Sequence, residues 1–266
     1  MDQELAGKVA IVTGGSGGIG RATVELFVDH GAQVVIADVD DEHGEELAKD
    51  LGPATAFRRT DVADPDDVQA LVEFAVSHFG GLHVMCNNAG VSSSFRRLLQ
   101  NDLRDLQRVM AVNLFGVMYG CRSAGLHMAG HGGGAIINTT SMGALTGGSF
   151  PIVYRTSKAA IIQFSRSAAS DLAEYGIRVN CIAPGHISTG ITNYDLGPTI
   201  RYSQPLQRQG SSADVANAVL FLASDRAAQI AGVVLPVDGG TAAGPPFAQT
   251  QLLLAQAQGQ GGADAG

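Results

Sequence analysis

The chain has 266 residues, 45% of them hydrophobic, and a formal net charge of −8 from 17 Lys+Arg and 25 Asp+Glu. That composition suits one sizeable core, and the acidic balance leaves no basic footprint for nucleic acid or an anionic membrane. Cys86, Cys121 and Cys181 are scattered and odd in number, which argues against a disulfide framework and against a zinc site.

No metal is expected. No apolar run approaches the roughly 18 residues of a membrane span, so no membrane partner is expected either. No charged-then-apolar leader precedes the first strand, which makes the cytoplasm the expected compartment.

In chain order, apolar β-branched runs at 9–12, 34–37, 56–59, 84–86, 135–138, 179–183 and 233–237 read as strands. Between them, segments such as 18–30, 65–79 and 212–223 carry apolar residues at three- and four-residue intervals and read as helices. Strand and helix alternating in this way predict an α/β fold: a single doubly wound, Rossmann-like domain over residues 1–240. Its central sheet is expected to be seven-stranded and mostly parallel, with helices on both faces. Residues 241–266 form a C-terminal tail, Gln-, Ala- and Gly-rich beyond Pro245 and Pro246, and are expected to lack regular structure. The apolar stretch 247–254 leaves room for an arm packed on a neighbouring subunit.

Such sheets gather ligands at the carboxyl ends of their strands. There the sequence places Thr13-Gly14-Gly15, Asp38, Asp61-Val62, Asn87-Asn88-Ala89-Gly90, Thr140-Ser141 and Pro184-Gly185. Residues 13–20 read Thr-Gly-Gly-Ser-Gly-Gly-Ile-Gly, directly after a strand and entering a helix, where glycine lets backbone turn tightly against a pyrophosphate. Two spacings fit, Gly15, Gly17 and Gly20 or Gly14, Gly18 and Gly20. Asp38 ends the second strand, about where an acid accepts hydrogen bonds from an adenosine ribose and repels a 2′-phosphate. No Lys or Arg lies within 13–20, so NAD is expected over NADP, with Arg21 as the counterargument.

Tyr154 and Lys158 stand four residues apart, side by side on one face of a helix over 154–175. Bringing a phenol from about 10 to near 7 requires about 4 kcal/mol, and a nearby cation acts in that direction. Ser141 lacks the Gly-x-Ser-x-Gly setting of a hydrolase nucleophile, since Thr139, Thr140, Met142 and Gly143 surround it.

Together these residues resemble the compact branch of the short-chain dehydrogenase/reductase family over residues 7–240. Residues 13–20 are similar to its Thr-Gly-x-x-x-Gly-x-Gly loop, 87–90 to its Asn-Asn-Ala-Gly motif, and 154–158 to its Tyr-x-x-x-Lys. The resemblance implies a catalytic tetrad of Asn113, Ser141, Tyr154 and Lys158. Tyr154 would exchange a proton with the substrate oxygen, Ser141 would hold that oxygen, Lys158 would lower the phenol and bind ribose, and Asn113 would support a water-linked proton path. It further implies cofactor contacts from Gly14, Ser16, Gly17, Gly18, Ile19, Gly20, Asp38, Asp61, Val62, Asn88, Ala89, Gly90, Tyr154, Lys158, Pro184, Gly185, Ile187 and Thr189. A homotetramer built through helices in 101–128 and 154–175 is implied as well.

A substrate wall is expected from 92–95, 143–145, Phe150 and the loop 186–202, where Ile191, Tyr194, Leu196 and Tyr202 give an apolar cover. The expected activity is hydride transfer between NAD(H) and a neutral, cyclic or steroid-like secondary alcohol or its ketone. Arg96, Arg97 and Arg155 keep open an NADP-dependent carbonyl or acyl-thioester reductase, and a non-catalytic cofactor-binding regulator is the reading from another class.

Overall fold

The computed structural model describes residues 3–188 and 195–260. Seven strands form one sheet: β1 Val9–Thr13, β2 Gln33–Asp38, β3 Thr55–Arg59, β4 Val84–Asn87, β5 Gly134–Thr139, β6 Ile177–Pro184 and β7 Val234–Val237. Their order is β3-β2-β1-β4-β5-β6-β7, and every described pairing is parallel, so the sheet expected as mostly parallel is wholly so. Helix crossovers permit this, because each returns the chain to the same end of the sheet.

The helices are α1 Gly18–Asp29, α2 Asp41–Leu51, α3 Pro65–Phe79, α4 Leu106–Met110, α5 Gly116–Ala129, α6 Ile152–Leu172, α7 Gly197–Ser203, α8 Ser212–Ala223 and α9 Phe247–Gln260. Successive strand residues point to opposite faces, and both are buried. Ala10, Val12, Val34 and Ile36 pack with Val24 and Phe27 of α1, Leu47 of α2 and Val215 of α8. Val9, Ile11, Val35 and Ala37 pack with Leu71 of α3, Val117 of α5 and Ile161 of α6.

Local signals set the helix ends. Asp64 caps α3 by accepting the Asp66 N–H, with Pro65 in the first turn and Gly80 closing the other end in the left-handed region. Ser211 and Asp214 form a reciprocal capping box on α8. Between α4 and α5, Ala111–Phe115 winds as a π-turn, a local insertion that rotates Asn113 inward until it is fully buried.

Two features depart from the sequence reading. The tail, expected to lack regular structure, carries α9. The continuous helical stretch Leu106–Ala129 is long and apolar enough to cross a bilayer by length and composition, although half of its most apolar window is buried inside the fold, as in a core helix.

Beneath the site runs a buried polar relay: Asn87 Nδ2 donates to Asn138 Oδ1 at 2.8 Å, and Asn138 Nδ2 donates to Ser165 Oγ at 2.8 Å. Asn87 fits only because α5 offers it Gly120, where an added Cβ would stand 2.0 Å from Asn87 Oδ1. Gly120→Ala therefore overpacks the interface and breaks the relay; it is expected to lower unfolding free energy in urea by about 3 kcal/mol.

Candidate active site

At the carboxyl edge the strand order reverses between β1 and β4, opening a crevice on either side of β1. The Thr13 hydroxyl joins the two exits: it accepts from Asn88 N at 3.0 Å and Ala89 N at 3.1 Å and donates to Cys86 O at 3.4 Å. Asn88 Nδ2 answers with bonds to Thr13 O at 3.1 Å and Gly14 O at 3.3 Å. Of the two glycine spacings, the wider one is structural. Gly14 and Gly18 hold φ of +63° and +53°, and a Cβ on Gly20 would lie 1.9 Å from Gly14 O.

Gly17 begins α1 without a side-chain cap, and a Cβ there would meet nothing within 4 Å, so the first-turn amides face open space. That cradle fits a pyrophosphate. The Asp38 carboxylate closes its flank, accepting from Ser16 N at 3.1 Å and from Ser16 Oγ through one oxygen, and from Val39 N at 2.8 Å through the other. Arg21 is engaged by Glu25 at 2.8 Å on the helix surface. Asp61 is exposed at the end of β3 and accepts from Ala63 N at 2.9 Å, while Val62 is buried against Gly116.

The tetrad residues converge from the π-turn, the exit of β5 and α6. Asn113 Oδ1 accepts from Val91 N at 2.8 Å; its Nδ2 donates to Val91 O at 3.0 Å and to Ser157 Oγ at 3.1 Å. Ser157 Oγ then donates to Tyr154 O at 2.7 Å. The Asn113 side chain is thus committed to positioning, and only its main chain could join a proton path. Lys158, 3% exposed, donates from Nζ to Thr139 O at 2.8 Å. A Cβ at Gly90 would stand 3.3 Å from that Nζ and 3.4 Å from Asn113 Oδ1, so these three positions share one corner.

The Ser141 hydroxyl neighbours the Tyr154 phenol closely enough to act on its ionisation. Ser141 Oγ also accepts from Gly143 N at 3.1 Å. The electrostatics correct the sequence expectation. Burial pushes the Tyr154 phenol up, and the neighbouring Ser141 hydroxyl opposes this without overcoming it. Lys158 does not reverse the shift, because burial pushes its own ammonium down to about 8 and its Nζ lies 5.8 Å from the centre of the tyrosine ring.

At the far wall, Gly185 N donates to Val237 O at 3.0 Å, directly after Pro184. The Ile187 side chain is buried in the core, its backbone pairs in a parallel bridge with Gly210, and its N–H donates to Gly185 O at 3.1 Å. Thr189, Ile191 and Tyr194 lie outside the described residues. His186 Nε2 lies 3.3 Å from Ser203 Oγ, the satisfied role that suits a loop histidine. Arg155 turns away from any ligand and donates to Thr146 O and, at 3.0 Å, to Thr146 Oγ1, while Arg96 and Arg97 are exposed. A cavity of about 410 Å³ at the ends of β6 and β7 is lined by His186, Gln204 and Asp238, and no tetrad residue borders it.

Sequence reasoning missed Ser157, and it placed Ser93 in the substrate wall, where the Ser93 hydroxyl instead accepts from Tyr154 N at 3.0 Å. The signal for Ser157 was its place one helical turn beyond Tyr154, on the tyrosine's face.

The lysine gives a pH test. Unfolded, its pKa is 10.5, and folded it is about 8, so between these values the unfolded chain binds the extra proton and stability rises with pH. The buried cysteines, pushed up by burial, act in the opposite direction in both proteins, so in urea titrations at pH 8 and 10 the stability of wild type relative to Lys158→Met is expected to rise with pH.

Comparison with known proteins agrees with this geometry. A family model described as enoyl-(acyl carrier protein) reductase matches residues 14–242. Momilactone A synthase of Oryza sativa subsp. japonica is 42% identical over 249 residues, covering 90% of this chain and 91% of that protein. The mitochondrial borneol dehydrogenase of Lavandula x intermedia is 39% identical over 239 residues, covering 90% and 92%. Among solved structures, a 3-ketoacyl-(acyl-carrier-protein) reductase from Brucella melitensis complexed with NADH superposes with a TM-score of 0.85 at 32% identity, covering 90% of this chain and 99% of that one. With the glycine loop and the Ser141, Tyr154 and Lys158 centre in one crevice, the chain belongs to the short-chain dehydrogenase/reductase family of NAD(P)-linked oxidoreductases.

Proposed function

We propose that this protein is an NAD-linked dehydrogenase acting on neutral cyclic secondary alcohols, and on their ketones in reverse. The observation that carries the reading is the buried Lys158 with its Nζ 5.8 Å from the centre of the Tyr154 ring and Ser141 neighbouring the phenol, which together supply a proton carrier, a holder for the reacting oxygen and a tunable charge. A bound nicotinamide supplies the hydride acceptor or donor. In oxidation, Tyr154 takes the hydroxyl proton while the carbinol carbon loses hydride, and Ser141 steadies the oxygen as it becomes a carbonyl. The Lys158 Nζ, which gives one proton to Thr139 O, retains others to hold ribose hydroxyls and to favour the phenolate.

Asp38 supports NAD over NADP, since its carboxylate flanks the cradle and Arg21 is engaged by Glu25. The borneol named for the lavender relative is a bicyclic secondary alcohol, which supports a cyclic substrate. The family description and the Brucella relative favour acyl-thioester reduction as a second reading. Against it, Arg155 is committed to Thr146 and cannot grip a phosphorylated carrier arm. Phe115, Met118 and Leu126 lie exposed on the stretch Ala111–Ala129, and they support assembly into a homotetramer through α5 and α6.

Tyr154→Phe is expected to lower kcat for cyclic alcohols by at least about 100-fold while the NAD dissociation constant changes less than about twofold. In the same assay, absorbance at the reduced nicotinamide band, wild type is expected to favour NAD over NADP by at least about tenfold. Asp38→Ala should narrow that preference. Stronger use of NADP by the wild type would reject the cofactor assignment.

A further inference from the structure

We propose that Phe95 and Phe150 form an aromatic bridge beside the Ser141–Tyr154 centre that grips the ring system of alicyclic substrates and sets selectivity for them over small open-chain alcohols. The inference rests on the dehydrogenase reading above and names the part of the substrate site that discriminates.

Two loops reach this centre, and each is tied to the start of α6. The loop leaving β4 is held where Tyr154 N donates to Ser93 Oγ at 3.0 Å, and Ser94 N donates to Asp105 Oδ2 at 2.6 Å. The loop leaving β5 carries Ser141 and is held where the Arg155 guanidinium grips Thr146, whose hydroxyl in turn donates to Met142 O at 3.3 Å. The ties fall on consecutive residues, Tyr154 and Arg155. Phe95 follows Ser93 by two positions and Phe150 precedes Tyr154 by four, so both rings are referenced to the tyrosine through short, fixed segments.

The rings meet across the gap between the loops, centroids 6.1 Å apart and planes tilted by 58°, within the range of an attractive aromatic pair. Even so, Phe95 is 54% exposed and Phe150 51%, with Leu145 of the second loop 39% exposed. Apolar surface carried on two loops tied to this centre and left half in water gains from being covered. A cage-like or ring hydrocarbon whose oxygen sits on Ser141 and Tyr154 covers it. A small open-chain alcohol satisfies the polar end and leaves the rings wet. Ring burial is therefore binding energy available only to the bulky class, and it acts remotely from the reacting bond, chiefly on KM.

The test uses Phe95→Ala, Phe150→Ala and the conservative Phe150→Leu. Oxidation of borneol and of 2-propanol with NAD is measured alongside NAD affinity and circular dichroism. Each alanine variant is expected to lose about tenfold in kcat/KM for borneol, mostly through KM, with less than about twofold change for 2-propanol, and Phe150→Leu should recover part of the loss. Equal losses on both alcohols, or no loss on borneol, would overturn the bridge while leaving the dehydrogenase reading intact.

A second arm does not depend on turnover: binding of camphor, the ketone of borneol, to the protein with NADH, followed by saturation-transfer NMR. Weaker camphor binding in the alanine variants supports the bridge even if the wild type oxidises neither alcohol. Equal binding in all variants refutes it.

Discussion

A parallel sheet buried on both faces can place its chemistry only at the edge where the strands end. Both faces here are filled by helices, with Phe27 and Val215 on one side and Leu71 and Ile161 on the other, so neither face has room for a ligand. Every crossover returns to the same end, and each strand therefore delivers its last residue to one common edge. Thr13, Asp38, Asn88, Ser141 and Gly185 are far apart in the chain and neighbours in space for that reason.

Precision at that edge comes from buried side chains that bond to backbone. Asn113 holds both polar groups of Val91 and, through Ser157, the carbonyl of Tyr154, which fixes the β4 exit and α6 to the π-turn with one amide. Thr13 and Asn88 do the same between β1 and β4. Such networks stabilise only when complete, because a lost partner leaves a desolvated polar group at a cost of about 1–3 kcal/mol. The π-turn is the local irregularity that lets Asn113 reach inward while α4 and α5 continue as nearly one helix.

The electrostatics set two burial effects against each other. Burial makes the Tyr154 phenol a weaker acid and the Lys158 ammonium a stronger one, so each protein group is drawn toward neutrality. The neighbouring Ser141 hydroxyl pulls the phenol the other way. A centre built like this responds strongly to charge placed beside it, since little solvent is present to screen it.

Much of this was legible in the residues alone. Seven apolar runs alternating with helical periodicity required a doubly wound sheet, and the residues after each run marked the chemistry, because strand ends are where such sheets expose polar groups. Tyr154 and Lys158 declared themselves by helical spacing. The tertiary structure decided the rest, because it depended on contacts between distant segments. It chose Gly14, Gly18 and Gly20 over the other glycine spacing, since Gly14 and Gly18 hold positive φ whereas a Cβ on Gly17 would meet nothing within 4 Å. It turned Arg155 from a possible ligand contact into a tie on Thr146, and it committed the Asn113 side chain to bracing Val91 and Ser157. It also raised the phenol that sequence had lowered. Proximity can be read from spacing along a helix, but burial is a property of everything packed around it.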